Sequence, residues 1–199
     1  MTYKERNFDD LFGVTGLSDE LLKNHFTLYQ GYVKNINGLL EESQKVIESG
    51  FGTTQSFPEL RRRLSWEWNG MRLHELYFDN LKKGAKAQEL SSKLHQHLAS
   101  EFGSIEKWRE LYKRMLSFRG IGWVVLYYDK ATDKLFNVWI NEHDVGHLAG
   151  CEPILVIDVF EHAYMMDYGT KRDGYIEAIM NAIDWSVCEK RFDEATISS

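Results

Sequence analysis

The chain has 199 residues, of which 43% are hydrophobic, and a formal net charge of −6. That length admits one domain or two small ones with a proper core, and a modestly acidic chain with scattered basic residues argues against nucleic acid as the main partner. The opening residues Met1 to Asn7 lack a signal-peptide apolar run, and no stretch is long and apolar enough to span a bilayer. The expectation is a soluble, cytoplasmic protein without a membrane partner.

Helical periodicity dominates the first half. From Ser18 to about Ser49, Leu21, Leu22, His25, Leu28, Tyr29, Tyr32, Val33 and Ile36 recur on one face, which points His25 at the core. Gly50-Phe51-Gly52-Thr53-Thr54 ends that helix, and a second is predicted from about Phe57 to Lys83. In it Leu73, His74, Tyr77 and Phe78 share a face, so a second imidazole points inward. Arg61-Arg62-Arg63 is the one basic cluster and reads as a solvated helix face. The two helices fit best as an antiparallel hairpin forming a domain of residues 1–84, with Lys82-Lys83-Gly84-Ala85 as linker to a second domain of residues 85–199.

Two shorter helices are predicted at about Ala87 to Phe102 and Ile105 to Ser117. His95 and His97 lie two apart on the first of these and read as surface residues. The period then changes. Trp123 to Tyr128, Leu135 to Ile140 and Ile154 to Val159 are rich in β-branched and aromatic residues, and the turn Asp129 to Lys134 makes the first pair a hairpin. Further helices are predicted from about Phe160 and Gly174. The fold class is α+β: a long N-terminal helical hairpin, then a three-stranded antiparallel sheet surrounded by helices. Cys151 and Cys188 match no metal-binding spacing and read as two reduced, packed thiols.

The strand Ile154-Leu155-Val156-Ile157 closes on Asp158, and His162 follows four residues later. A polar pair at the end of a buried strand is expensive unless it binds something. Taken singly, such a pair, or an inward histidine, is an ordinary hydrogen-bonded core feature. Taken together, His25, His74, Asp158 and His162 make a three-nitrogen, one-oxygen donor set suited to iron, manganese or zinc. The set would lie between the two halves, where such sites are expected. No Glu-x-x-His pair is present, which disfavours a di-iron bundle.

These residues resemble the iron and manganese superoxide dismutases. The likeness is carried by Asn69-Gly70 running into His74-Glu75-Leu76-Tyr77-Phe78, by Gly120-Ile121-Gly122-Trp123, by Asp158 to Tyr164 and by Asp184-Trp185, in collinear order over about residues 15–192. It implies one iron or manganese ion per chain held by His25, His74, Asp158 and His162, with superoxide as substrate and an antioxidant role. It further implies Tyr32 at the mouth of the substrate channel and Trp123, Phe78 and Phe160 as an apolar wall. By the same resemblance Glu161 would bridge to the metal-binding histidine of a second copy, making a homodimer that could pair into a tetramer.

The sequence departs from the family in three places. Typical members separate the first ligand from the channel tyrosine by eight residues with a π-bulge between; His25 and Tyr32 are seven apart, which a regular helix aligns without a bulge. The ungapped alignment would instead put Asn24, a poor ligand, in that place. The histidine that usually follows the first ligand, and the tyrosine it bonds in the partner, are replaced here by Leu28 or Tyr29 and by Met165. The place of the glutamine that holds bound solvent is Gly70 on the helical side and His143 on the sheet side, so His143 is the expected proton-handling residue; His147 reads as loop surface. Two other readings stay open: a scaffold of the same fold without catalysis, and another mononuclear metalloenzyme such as a zinc hydrolase.

Overall fold

A computed structural model describes residues 2–50, 56–88 and 90–197. The first helix, α1 (Asp19–Glu48), starts where the Ser18 side chain accepts the Leu21 N–H at 3.1 Å, with Asp19 and Glu20 favourably placed at the positive helix end. It is α-helical throughout with no π-turn, so seven residues turn through about two full turns and His25 and Tyr32 share a side. The interhelix turn expected at Gly50 to Thr54 lies, beyond Gly50, outside the described residues. The second helix, α2 (Ser56–Asp79), packs along α1.

That helix ends four residues before the predicted Lys83. The chain is captured there by distant groups: Asn80 Nδ2 donates to the Val156 carbonyl at 2.5 Å, Leu81 bridges Ile183, and the Lys82 N–H donates to the Ala182 carbonyl at 2.9 Å. The Lys82 N–H is thus satisfied by a distant carbonyl rather than by a further turn of the helix. Helix α3 (Lys93–Phe102) starts later than the predicted Ala87, because the Ser92 side chain caps it by accepting the His95 N–H. It stops at Gly103, whose φ of 85° is a left-handed cap. Helix α4 (Ile105–Leu116) agrees with expectation to a residue and is capped by Ser104.

The sheet has three antiparallel strands, β1 (Gly122–Asp129), β2 (Lys134–Asn141) and β3 (Glu152–Asp158), in spatial order β2-β1-β3. The central strand β1 is buried from Gly122 to Tyr128, which explains its unbroken apolar run. Gly122 is required where β1 begins: its φ is 142°, and a Cβ there would lie 2.0 Å from the Ile140 carbonyl oxygen. Pro153 is accommodated because β3 is an edge strand and its register with β1 shifts between Leu126 and Tyr127.

The helix predicted from Phe160 does not form. A 3₁₀ turn at Glu161–Ala163 and a single α-turn, α5 (Met165–Tyr168), take its place, because Asp158 Oδ1 holds the Phe160 N–H at 2.8 Å and Tyr164 adopts φ −146°. The predicted last helix is two, α6 (Arg172–Asn181) and α7 (Trp185–Ile197), divided where the Asp184 N–H donates to the Asn80 carbonyl at 2.6 Å. The core runs continuously from Leu21, Leu22 and Ile36 through Trp123 to Trp108 and Tyr112. Among the described residues no helix is long and apolar enough to cross a membrane. Cys188 is buried, Cys151 half-buried, and both are free.

Candidate metal centre

Four elements deliver one donor each to the same point. His25 comes from α1, His74 from α2, Asp158 is the last residue of β3, and His162 sits in the 3₁₀ turn after it. Asp158 Oδ2 lies 3.1 Å from His25 Nε2, 3.2 Å from His162 Nε2 and 3.7 Å from His74 Nε2. All four ligand atoms fall within 4.8 Å of one another, and the group can hold one metal ion. His25, His74 and Asp158 are fully buried, while the His162 side chain keeps 24% exposure. Asn24 is exposed and donates to Met166 Sδ, so it is His25 that enters the cluster.

The protonation pattern of His74 suits a cation. His74 Nδ1 faces the Gly70 carbonyl at 2.5 Å; a carbonyl can only accept, so Nδ1 carries the hydrogen and Nε2 presents a lone pair. Burial holds His74 well below its ordinary pKa, so the ring is neutral. Its Nε2 finds no hydrogen-bond partner, and the group it faces is a carboxylate oxygen, a second acceptor. A buried acceptor left unsatisfied costs about 1–3 kcal/mol, and a bound metal ion would remove that cost. Burial also lowers the pKa of His25.

Asp158 completes the donor set as the single anion. Burial alone would raise its carboxyl pKa, but nearby His162 and the hydrogen bonds from His162 and His25 outweigh that and hold it well below the usual carboxylate range. Its Oδ1 accepts the Phe160 N–H at 2.8 Å and its main-chain carbonyl accepts the Tyr175 hydroxyl at 2.7 Å. Oδ2 is thereby left to face the three imidazoles.

Beside the cluster stand Tyr32 and His143. Trp123 Nε1 donates to His143 Nδ1 at 3.1 Å, so the neutral ring carries its hydrogen on Nε2, which donates to the Tyr32 hydroxyl oxygen at 2.8 Å. Burial lowers His143 to about 4, which keeps it neutral near pH 7. Burial likewise raises Tyr32, so the phenol keeps its own proton. The three wall residues surround these groups. Phe78 lies 4.9 Å from His25, Trp123 lies 5.0 Å from His74, and Phe160 stacks on both His162 and His143 at 5.2 and 4.8 Å.

The Tyr32 ring stacks on His74 at 5.2 Å and covers Gly70, where an added Cβ would come within 2.5 Å of Tyr32 Cδ1. Alanine at a helical glycine ordinarily gains about 0.5–1 kcal/mol; overpacking costs about 1–3 kcal/mol. Gly70→Ala is therefore expected to lower the thermal midpoint and to reduce activity while metal is retained. A raised midpoint with full activity would show that Tyr32 moves aside freely.

Glu161 and Met165 are exposed. Of the two candidates for the missing channel histidine, Leu28 is exposed and Tyr29 is buried, its hydroxyl donating to Glu75 at 2.9 Å. His95 and His97, expected at the surface, are half-buried, and His97 Nε2 bonds the Asp133 carbonyl at 2.9 Å. His147 is also not loop surface: its Nε2–H donates to the His143 carbonyl at 2.8 Å and its Nδ1 accepts from Tyr127 at 2.7 Å, bracing the turn that presents His143. Arg61, Arg62 and Arg63 are exposed as expected, but the Arg63 guanidinium lies 3.9 Å over the Trp66 ring. Sequence reading missed Trp66, which packs edge-on against His143 at 4.5 Å, and Tyr175, which anchors Asp158. No local pattern marks either.

Comparison with known proteins agrees with this geometry. Residues 90–191 match the family described as iron/manganese superoxide dismutases, C-terminal domain. The chain is 35% identical over 187 residues to the iron superoxide dismutase of Cupriavidus metallidurans, covering 92% of this chain and 91% of that protein. It is 34% identical over 178 residues to the iron superoxide dismutase of Methanothermobacter thermautotrophicus, covering 88% and 86%. It is 33% identical over 181 residues to the manganese superoxide dismutase 2 of Haloferax volcanii, covering 90% and 88%.

Proposed function

The chain belongs to the iron/manganese superoxide dismutase family and is a superoxide dismutase, and from that premise we propose that His25, His74, Asp158 and His162 are its metal ligands, with Tyr32 and His143 as its proton-handling pair. Bound iron or manganese supplies the one-electron chemistry, alternating between trivalent and divalent states while one superoxide becomes oxygen and the next becomes hydrogen peroxide. The observation that carries the assignment is the buried lone pair of His74 Nε2, aimed at a carboxylate oxygen with no hydrogen between them.

The residues divide the remaining work. One anion, Asp158, set against three neutral imidazoles fixes the charge of the site. Forming hydrogen peroxide from superoxide consumes two protons for one electron. Tyr32 holds a proton at its hydroxyl oxygen, which already accepts from His143 Nε2–H and so can donate elsewhere. Phe78, Trp123 and Phe160 exclude bulk water, which strengthens every electrostatic interaction inside. Metal analysis with a superoxide assay tests the reading. One iron or manganese ion per chain with activity is expected; protein that stays inactive after reconstitution with either ion overturns the ligand assignment.

The division into residues 1–84 and 85–199 belongs to the same proposal, with two ligands from α1 and α2, one from the end of β3 and one from the 3₁₀ turn after it. So does a cytoplasmic location, supported by two free thiols, one of them deep in the core. So does a homodimer. Glu161 is exposed beside the 24%-exposed His162 and the exposed Met165 and Met166, and would reach the His162 of a second copy. A twofold interface would form that bridge twice. Breaking one partner of a buried charged bond costs about 3–5 kcal/mol, so Glu161→Ala is expected to weaken the dimer and lower activity together. Sedimentation showing this variant dimeric at nanomolar concentration, with full activity, would remove the bridge.

A further inference from the structure

His143 stands on a tight turn after β2, closed by paired bonds between Asn141 and Val145, and does not share an element with any of the four metal-binding residues. Something must hold that turn against α2, which carries His74. The residue before His143 is tied to that helix by a hydrogen bond, and the residue after it lies close to the same helical turn. Trp66 Nε1 donates to Glu142 Oε2 at 3.0 Å, while the Ser65 hydroxyl, which donates to the Arg62 carbonyl at 3.1 Å, stands 3.4 Å from Asp144 Oδ2. The Trp66 ring then fills the space between, 4.5 Å from His143 and 5.6 Å from Tyr32.

Trp66 is itself held in place. Arg63 covers its outer face at 3.9 Å, and the Arg63 Nε–H donates to Glu67, a buried carboxylate that also accepts from Asn35. A guanidinium over an indole face is attracted by the ring's electrons. The Glu142 backbone is at φ 53°, a left-handed conformation unfavourable for residues with a Cβ, and from it the side chain reaches Trp66.

We infer that Trp66 is a positioning residue for the Tyr32–His143 pair, clasping the His143 turn to α2 through Glu142 under the cover of Arg63. The inference rests on the proton-handling reading of that pair. Its consequence is that breaking the Trp66–Glu142 bond loosens His143 relative to Tyr32 while the four metal-binding side chains stay in place.

The test uses iron-loaded protein in five variants: Trp66→Phe, Glu142→Ala, the double variant Trp66→Phe/Glu142→Ala, Glu142→Gln, and His143→Ala as control. Three quantities are read: iron per chain, turnover, and the dissociation constant of azide, a monovalent anion probe, from visible absorption. Trp66→Phe and Glu142→Ala are each expected to keep iron, lose about 10-fold in turnover and shift the azide constant by about 10-fold, the lower end of losses seen when groups supporting a metal site are removed. The double variant should be no worse than the worse single, since both changes remove one bond. Glu142→Gln keeps an acceptor oxygen and should recover most of the loss.

Wild-type turnover and azide affinity in Trp66→Phe and Glu142→Ala would overturn the clasp, and so would losses that multiply in the double variant. Loss of iron from Trp66→Phe would overturn it too, because the residue would then support the ligands themselves. If instead His143→Ala leaves turnover and azide affinity unchanged, the reading of the Tyr32–His143 pair fails first, and the clasp with it.

Discussion

Asp158→Ala is expected to take the protein from one bound ion per chain to none and to abolish superoxide removal. Asp158 Oδ2 is the atom on which the site converges, within 3.7 Å of the Nε2 of all three histidines. It is also the only anion among the four. Without it, three neutral imidazoles face a divalent or trivalent ion with no compensating charge, inside a pocket where three of the four donors are fully buried. Ligands must be ionised or neutral in the right sense to hold a metal, and this carboxyl is held well below the usual carboxylate range by His162 and His25. The Tyr175 hydroxyl bond goes to the Asp158 main-chain carbonyl and survives the substitution, so the end of β3 stays anchored. Asp158→Asn is the informative companion, since it keeps volume and an acceptor for the Phe160 N–H while losing the charge. Metal content by atomic absorption, with circular dichroism to verify the fold, decides the matter. Metal retained at the wild-type level in the alanine variant would remove Asp158 from the ligand set.

His143→Ala should keep its metal yet lose about 10- to 100-fold in activity, the usual scale for losing a group that orients a metal site without touching the ion. The ring is fixed from both sides. Trp123 donates to Nδ1, which forces the hydrogen onto Nε2, and Nε2 donates to Tyr32. Truncation therefore removes the donor to the phenol and leaves the buried Trp123 N–H without its acceptor, a further cost of about 1–3 kcal/mol. The variant should accordingly unfold at lower temperature as well as turn over slowly. His143→Gln, whose amide can donate to Tyr32, should recover part of the activity. Steady-state turnover on metal-loaded protein separates these outcomes, and unchanged turnover in the alanine variant would return His143 to a merely structural place.

The sequence by itself determined the element types and their order as far as Asp158, because those follow from local period. Leu21, Leu22, His25 and Tyr29 recur as a helix face, Trp123 to Tyr128 form an unbroken apolar strand, and Ser18 and Ser104 stand where two helices start. The four donors were legible for the same reason: inward imidazoles on two amphipathic faces and an acid at the end of a buried strand need a shared partner. Tertiary structure alone decided where α2 stops, because Val156, Ala182 and Ile183 capture Asn80 to Lys82 from more than seventy residues away in the chain. It also decided that the stretch after Asp158 is a 3₁₀ turn, that Tyr32 rests on Gly70, that His147 braces His143, and that Trp66 reaches Glu142. With the exception of the turn after Asp158 and the His147 brace, each is a contact between separate elements. No period or cap residue encodes which side chains meet when a helical hairpin closes on a sheet, since that depends on how the two surfaces pack rather than on the neighbours of either residue in the chain.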